Sequence, residues 1–208
     1  MNMLNFATLG PEGTNHERVT ESYIRFHGIQ NASIELVADF EKAKAGLLGG
    51  DYDFVVQCAV HPFTPEMMGS NFHDMFAADC FISRSKELAV LTRRDVEHPR
   101  SIGLLAPATE SYIDCARWEQ RVLGTSLPLI FRGLLAGEFD SALVYAEYAE
   151  QYPDLVKIDE VIGSPDDVWI VYARERTSGG KLQAWKNSPI TKLFDMKGAI
   201  ISQAGLVT

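Results

Sequence analysis

The sequence of 208 residues is long enough for one large domain or two small lobes, and its 46% hydrophobic content can bury a sizeable core. With 28 acidic against 19 basic residues, its formal net charge of -9 argues against a protein that binds nucleic-acid backbones through clustered cations. The three cysteines have no metal-like spacing and are expected to be free thiols. The sequence shows no basic and apolar leader and no apolar run of about 18 residues, so we expect a cytoplasmic protein without membrane spans.

Strands and helices are predicted to alternate along the first part of the chain. Apolar runs indicate strands, and apolar residues at helical spacing indicate helices, the second of which Asp39 caps. Residues 61–71 contain two prolines and a glycine and are predicted to form a loop. The predicted strands cover residues 4–10, 34–37, 53–57 and 76–83, and the predicted helices cover residues 12–27 and 40–48.

A second alternating series follows, so the sequence predicts an α/β fold of two lobes with a ligand cleft between them. The predicted lobe 1 is residues 1–80 plus about 165–208, and the predicted lobe 2 is residues 81–164. The predicted strands cover residues 88–92, 101–105, 127–130, 141–144, 156–158 and 168–172, and the predicted helices cover residues 109–122, 146–151 and about 181–194.

A glycine-rich turn joins the first predicted strand to the first predicted helix. Residues 8–14 read TLGPEGT, and free backbone N–H groups at such a strand-to-helix turn can hold an anion. Gly13 and Thr14 are therefore candidate substrate-binding residues, with Thr14 donating to a carboxylate. The alternative, in which the glycines and the proline only make the turn and Thr14 only caps the helix, stays open.

The TLGPEGT string resembles the opening of prephenate dehydratases and is even more similar to that of the bacilysin-pathway prephenate decarboxylases. A co-linear likeness covers most of the chain, including Asp39-Phe40 with its helix, the YDFVV strand, a lobe crossing near residues 78–83 and a strand-helix unit around residues 140–143. This resemblance implies the two-lobed type II periplasmic-binding-protein fold, used here for catalysis. It also implies a homodimer, because the dehydratase family commonly dimerises.

The chain departs from the dehydratase pattern at two places. After the third strand the dehydratases carry an Asn-Ser segment, whereas this chain has residues 57–62, QCAVHP. Their late Thr-Arg-Phe motif, whose threonine is linked to expulsion of the ring hydroxyl, is replaced around residues 165–169, PDDVW. We therefore expect no dehydratase activity. No counterpart of the phenylalanine-binding regulatory domain of many dehydratases is expected either.

The decarboxylase relatives share these departures. The leading hypothesis is therefore a carbon-carbon lyase of the prephenate decarboxylase type, which removes carbon dioxide and protonates the ring without making it aromatic, in antibiotic biosynthesis. Such chemistry requires no metal and no organic cofactor. One alternative is a relative acting on another carboxylated non-aromatic ring, such as a tropone or tropodithietic acid pathway intermediate. Another is a non-catalytic protein that binds a small acid.

His61 and Glu12 are the candidate catalytic residues. His61 follows an apolar strand, at the carboxyl end where open α/β sheets bind their ligands, and is the candidate proton donor. A hydrogen-bonded loop histidine is the alternative. Glu12 lies in the TLGPEGT turn, and His16, in the next helical turn, is a further histidine that can face the cleft.

The second lobe supplies the remaining candidate binding residues. Thr109, Glu110 and Ser111 open a predicted helix after a strand, so their amides are placed to hold a second carboxylate, although an ordinary helix cap explains them too. Arg132 is a candidate for a bidentate contact with a carboxylate, or else a surface residue. Trp169 is a candidate wall of the cleft, or else a packing residue.

Overall fold

The computed structural model describes residues 3–105, 108–185 and 189–197. Its strands are β1 Leu4–Leu9, β2 Ala32–Val37, β3 Phe54–Cys58, β4 Phe76–Arg84, β5 Leu88–Arg93, β6 Ser101–Leu104, β7 Gln120–Leu123, β8 Ser141–Tyr145, β9 Val156–Gly163 and β10 Asp166–Ala173. Its α-helices are α1 Asn15–Phe26, α2 Phe40–Gly49, α3 Thr64–Gly69, α4 Leu127–Ala136, α5 Glu147–Gln151 and α6 Ile190–Met196. None of the helices in these ranges combines the length and the apolar character needed to cross a membrane.

The strands of the described residues form two five-stranded sheets with the same pattern of directions. The first sheet has the order β2-β1-β3-β10-β4, and the second has the order β7-β6-β8-β5-β9. In each sheet the first three strands run parallel, and the fourth runs antiparallel to both of its neighbours. Because β5 and β10 each follow a strand of the other sheet, the chain crosses twice. The predicted two-lobed α/β fold is confirmed.

The core of the first lobe lies on both faces of its sheet. Successive side chains of a strand point to opposite faces, so Val55 and Val56 of β3 enter different clusters. Val55 packs with Phe40 of α2 and Met67 of α3, whereas Val56 packs with Val19 of α1. Helices therefore cover both faces, as the parallel strands require.

Helix α4 covers the core of the second lobe and replaces a predicted strand over residues 127–130. Ser126 caps its start by accepting a hydrogen bond from the amide of Leu129, and Gly137, at φ 77°, ends it in the left-handed region. The prediction was wrong because a short apolar run fits a buried strand and a buried helix equally well. The helix buries residues that recur at helical spacing on one face, namely Leu127, Ile130, Phe131 and Leu134.

The helix predicted over residues 109–122 is also wrong. Two single 3-10 turns, Glu110–Tyr112 and Cys115–Arg117, lie there, and the strand β7 follows. Asp114 starts the second turn by accepting a hydrogen bond from the amide of Ala116 at 3.0 Å. Residues 120–123 pair with β6 as a parallel strand, so long-range pairing overrides the local helical spacing.

Three smaller predictions also change. The predicted loop over residues 61–71 contains the short helix α3. The strand predicted over residues 168–172 begins earlier, at Asp166, because the pairing of β10 with β4 extends to Asp166 opposite Arg84. Of the helix predicted over residues 181–194, residues 181–185 are not helical, residues 186–188 lie outside the described part, and helix α6 begins at Ile190.

The chain divides into two compact units, Met1–Arg176 and Thr177–Thr208. Both sheets belong to the first unit. Within the second unit, the described residues contain helix α6 and a hydrogen bond from the amide of Lys181 to the carbonyl of Ser178 at 3.0 Å. The predicted assignment of residues 177–208 to lobe 1 therefore stays a prediction.

Neighbouring leucines of α4 provide a test of the second core. Leu134→Ala should lower the free energy of unfolding by about 2 to 5 kcal/mol, because Leu134 is 0% exposed and its removal leaves a cavity. Leu135→Ala, at a position 36% exposed, is the matched control and should change stability much less. Urea unfolding followed by circular dichroism measures both. Equal losses for the two variants would contradict the assigned face of α4.

Candidate ligand-binding cleft

A cleft of about 930 Å³ lies between the two sheets of the first unit. It is bounded by the ends of parallel strands from both lobes, where open α/β sheets bind their ligands. Its volume lies in the range of small-molecule sites. The lining residues that mark these strand ends are Leu9, Val37 and Cys58 in the first lobe and Leu105 and Tyr145 in the second.

Three helices begin at the cleft, and their capping residues Thr14, Asp39 and Ser126 line it. A helix start carries a partial positive charge that favours an anion. Asp39 offsets this charge at α2 with its own carboxylate, whereas the caps of α1 and α4 are neutral. Glu17 adds a carboxylate in the first turn of α1, whereas the first turn of α4 contains no acidic residue, so the start of α4 keeps its partial positive charge at the cleft.

The amides of the TLGPEGT turn are largely engaged within the protein. The amide of Gly13 donates to Oε2 of Glu17 at 2.5 Å, and the amide of Asn15 donates to the hydroxyl of Tyr145 at 3.0 Å. Thr14 both caps α1 and donates its hydroxyl to the carbonyl of Leu9 at 3.1 Å. Thr14 lines the cleft, but Glu12, which is exposed, and Gly13, which is half-buried, are not among its lining residues. Their predicted roles in catalysis and binding stay predictions.

Two histidines lie together in the first-lobe wall. The rings of His16 and His61 are nearly perpendicular, at 87°, with centroids 6.2 Å apart. Nε2 of His16 accepts a hydrogen bond from the amide of Cys58 at 3.3 Å, and Nδ1 of His61 accepts one from the amide of Phe63 at 3.2 Å. Because a neutral imidazole carries its proton on the other nitrogen, these bonds place N–H on Nδ1 of His16 and on Nε2 of His61.

Burial keeps both imidazoles uncharged at neutral pH. It lowers the pKa of His16 to about 3, and the like charge of a protonated His61 contributes a smaller part. Burial also lowers the pKa of His61. The same loss of solvent raises the pKa of the Cys58 thiol to about 11, so Cys58 is no thiolate nucleophile.

Aromatic rings fix the histidine pair from two sides. Trp169 meets His16 edge to face, with ring centroids 5.0 Å apart at 78°. Phe40 contacts both imidazoles, with centroid distances of 5.5 Å to His16 and 4.7 Å to His61. Trp169 lines the cleft and is also a core residue, at 1% exposure, so both sequence interpretations of its position apply.

The described residues that line the cleft include no lysine and no arginine. Arg132, the predicted carboxylate-binding arginine, is exposed on α4 and is not among the lining residues. The charged lining residues are the acids Asp39, Glu41 and Asp167. No group of histidine, cysteine, aspartate and glutamate side chains in the described part of the chain is arranged to hold a metal ion.

The predicted second carboxylate site lacks the helix on which it was based. Thr109 is buried and lines the cleft, where its hydroxyl donates to the carbonyl of Leu105 at 3.0 Å. Glu110 instead pairs with Arg121 at 2.8 Å, and Ser111 is exposed. A three-residue 3-10 turn offers little of the aligned dipole of a helix start, because that dipole sums over many peptide units.

Polar contacts between the lobes complete the site, and the sequence analysis missed them. Oδ1 of Asn15 accepts a hydrogen bond from the amide of Lys86 at 2.9 Å. The ammonium of Lys86 donates to the carbonyl of Gly13 at 3.1 Å and pairs with Glu147 at 2.9 Å. Tyr145, which binds the amide of Asn15, ends β8, and the strand-end rule used for His61 would have identified it.

Comparison with solved structures supports the fold. The chain is similar to a prephenate dehydratase from Arthrobacter aurescens in complex with L-Phe, with a TM-score of 0.59, 16% identity and coverage of 87% of this chain and 63% of that one. It is similar to a Staphylococcus aureus prephenate dehydratase, with a TM-score of 0.58, 12% identity and coverage of 84% and 67%. The Bordetella pertussis BvgS periplasmic VFT2 domain gives a TM-score of 0.53, 13% identity and coverage of 82% and 80%.

These likenesses show a shared two-lobed fold and nothing more specific, because all three identities are below 20%. The chain spans less than two thirds of the length of the Arthrobacter dehydratase. The sequence matches no protein-family model and no curated protein. The activity therefore has to be inferred from the cleft itself.

The depressed pKa of His16 predicts a loss of stability in acid. In the unfolded chain His16 is protonated below about pH 6.5, whereas in the folded chain it is protonated only below about pH 3, because its pKa is lowered. The free energy of unfolding therefore carries no penalty from His16 above pH 6.5. Between pH 6.5 and pH 3 it falls by about 1.4 kcal/mol per pH unit because of this residue.

His16→Gln removes that titrating group, so its stability should fall less steeply than that of the parent between pH 6.5 and pH 4. Urea unfolding at half-unit pH intervals measures the slopes. His98→Gln, at an exposed position, is the control and should keep the parental slope. Parallel slopes for His16→Gln and the parent would refute the buried, neutral state of His16.

Proposed function

We propose that the chain is a carbon-carbon lyase that removes carbon dioxide from a small carboxylated non-aromatic ring. Prephenate is the first substrate to test, because of the sequence resemblance to prephenate decarboxylases. The observation that carries the proposal is that the described residues of the cleft lining include Asp39, Glu41 and Asp167 but no lysine and no arginine. The fold shared with prephenate dehydratases supports the substrate class.

Such a lining favours loss of a carboxylate over its retention. A carboxylate that leaves as carbon dioxide gives up its charge to the ring, so nearby negative charge raises the energy of the bound substrate more than that of the transition state. Two unit charges 5 Å apart repel each other by about 3 kcal/mol at an effective dielectric constant of 20. The walls of Phe40 and Trp169 also remove water from the carboxylate.

The proposed reaction balances without a cofactor. The bond between the ring carbon and the carboxylate breaks, its electron pair enters the ring double bonds, and carbon dioxide leaves. A ring carbon then takes up a proton from solvent water. The neutral His61 presents Nε2–H to the oxygens that stay on the substrate. Direct proton transfer from His61, the role predicted from the sequence, needs the imidazolium, which burial disfavours.

Incubation with prephenate tests the reaction. The purified chain should release carbon dioxide faster than the uncatalysed background and give a non-aromatic product, because the Thr-Arg-Phe motif of the dehydratases is replaced by residues 165–169. Carbon dioxide release and mass spectrometry of the products are the measurements. Phenylpyruvate as the main product would show dehydratase chemistry and contradict the proposal.

Substitution of His61 tests its contact with the substrate. His61→Leu removes the Nε2 donor and should lower kcat/KM by roughly 10- to 100-fold, since a hydrogen bond to a charged group contributes about 1.5 to 3 kcal/mol. His61→Gln keeps an amide donor and should retain more activity. Rates are compared per folded molecule, with His98→Gln as the control. Parental kcat/KM in His61→Leu would remove His61 from the site.

A protein that binds a small acid without reaction is the second candidate. The observation in its favour is the set of neutral N–H donors of His16 and His61 together with the start of α4, which can hold an anion without any chemical step. Binding of prephenate without carbon dioxide release supports this candidate. The cytoplasmic location, the homodimer and the role in antibiotic biosynthesis stay predictions from the sequence.

A further inference from the structure

We infer that His16 and His61 form a charge-neutral clamp of two N–H donors for the oxygen-bearing group that stays on the ligand. This inference rests on the proposed function only in placing the ligand in the inter-lobe cleft. It adds His16 as a residue that determines which ligand binds. It also assigns the recognition of an anion to neutral imidazoles.

The clamp follows from the hydrogen bonds that orient the two rings. One nitrogen of each ring is occupied by a backbone amide, from Cys58 to His16 and from Phe63 to His61. The remaining nitrogens, Nδ1 of His16 and Nε2 of His61, are the ones that these backbone amides leave for a ligand, and both histidines line the cleft. Ring centroids 6.2 Å apart allow one small carboxylate to accept from both.

The backbone amides also prevent either ring from taking a second proton easily. Protonation would place a new N–H of His16 against the amide of Cys58, and a new N–H of His61 against the amide of Phe63. Two donors facing each other lose a hydrogen bond and leave both groups unsatisfied. Both rings are also held in place by Phe40, so they cannot rotate freely to avoid this arrangement.

The other titratable side chains that line the described part of the cleft around His16 and His61 carry no positive charge. Asp39, which caps α2, Glu41 of α2 and Asp167 of β10 supply negative charge, and the thiol of Cys58 is neutral. Burial raises the pKa values of the phenols of Tyr112 and Tyr145, which therefore stay neutral too. The titratable lining residues around the imidazoles are thus Asp39, Glu41, Cys58, Tyr112, Tyr145 and Asp167.

Nitrogen NMR of the full chain tests the state of the two rings. We expect His16 to show the neutral Nδ1–H form between pH 6 and pH 8, and His61 to show the Nε2–H form when neutral and to bind its proton at a lower pH than the histidines of the unfolded chain. The histidines of the urea-unfolded chain are the control and should gain protons across this range. Imidazolium signals from His16 at pH 6.5, a His61 that binds its proton as readily as the histidines of the unfolded chain, or the opposite tautomers would overturn the clamp.

Calorimetry with cyclohexanecarboxylate, a saturated ring acid that cannot react here, tests recognition. Its affinity should vary less than twofold between pH 6.5 and pH 8.5, with no proton uptake in buffers of different ionisation enthalpy. His16→Leu and His61→Leu should each weaken binding about 10-fold or more, whereas His98→Gln should not. A 10-fold loss of affinity per pH unit, or no binding at all, would contradict the clamp.

Different experimental results would contradict the lyase and the histidine clamp. Carbon dioxide release from prephenate by a protein with charged imidazoles would sustain the lyase and refute the clamp. Binding of cyclohexanecarboxylate that does not depend on pH, without carbon dioxide release, would sustain the clamp and refute the lyase. If His16→Leu does not fold, His16→Gln and the NMR of the parent chain still decide, because the NMR needs no substitution.

Discussion

The double crossing of the chain between its two sheets is the constraint on which the cleft depends. Strand β4 continues into β5 of the other sheet, and β9 returns into β10 of the first. A hydrogen bond from the amide of Ser85 to the carbonyl of Pro165 at 2.9 Å ties the two crossings together. Side chains extend this tie, because Ser85 donates to Asp167 and Arg84 pairs with Asp166 at 3.2 Å. Both sheets consequently direct the ends of their parallel strands into one cleft.

The start of α1 connects this architecture to the proposed chemistry. Asn15 belongs to the first lobe by its helix, yet it is bound to Tyr145 and Lys86 of the second. His16 is the next residue, and its ring is fixed by Cys58 and Trp169 of the first sheet. A change in the angle between the lobes would therefore pull directly on the helical turn that carries one of the two N–H donors. The angle between the lobes and the position of the His16 N–H are coupled because Asn15 and His16 are adjacent in the chain.

Sequence patterns predicted the fold better than the site. The alternation of strands and helices predicted two α/β lobes, and Asp39 was correctly predicted to cap α2. Local patterns failed at β7, where pairing with the distant strand β6 determines the secondary structure. They also failed at α4, because a short apolar run is compatible with both a buried strand and a buried helix. Strand-end position placed His61 in the cleft wall, but no spacing indicates that an amide two residues later would fix its tautomer. The contact between Asn15 and Tyr145 joins residues 130 positions apart and has no local signal.

The absence of lysine and arginine from the described lining of the cleft is consistent with the net charge of -9, because such a cleft does not rely on long-range attraction to collect its ligand. A lysine or arginine in this wall would have to lose its water against Phe40 and Trp169, at a cost of several kcal/mol unless it were paired. Neutral imidazoles avoid most of that desolvation and still donate hydrogen bonds. Their orientation is already set by backbone amides, so little order is lost when a ligand binds. Neutral donors on one part of the ligand and negative charge near another part would together favour loss of the carboxylate that lies near the acids.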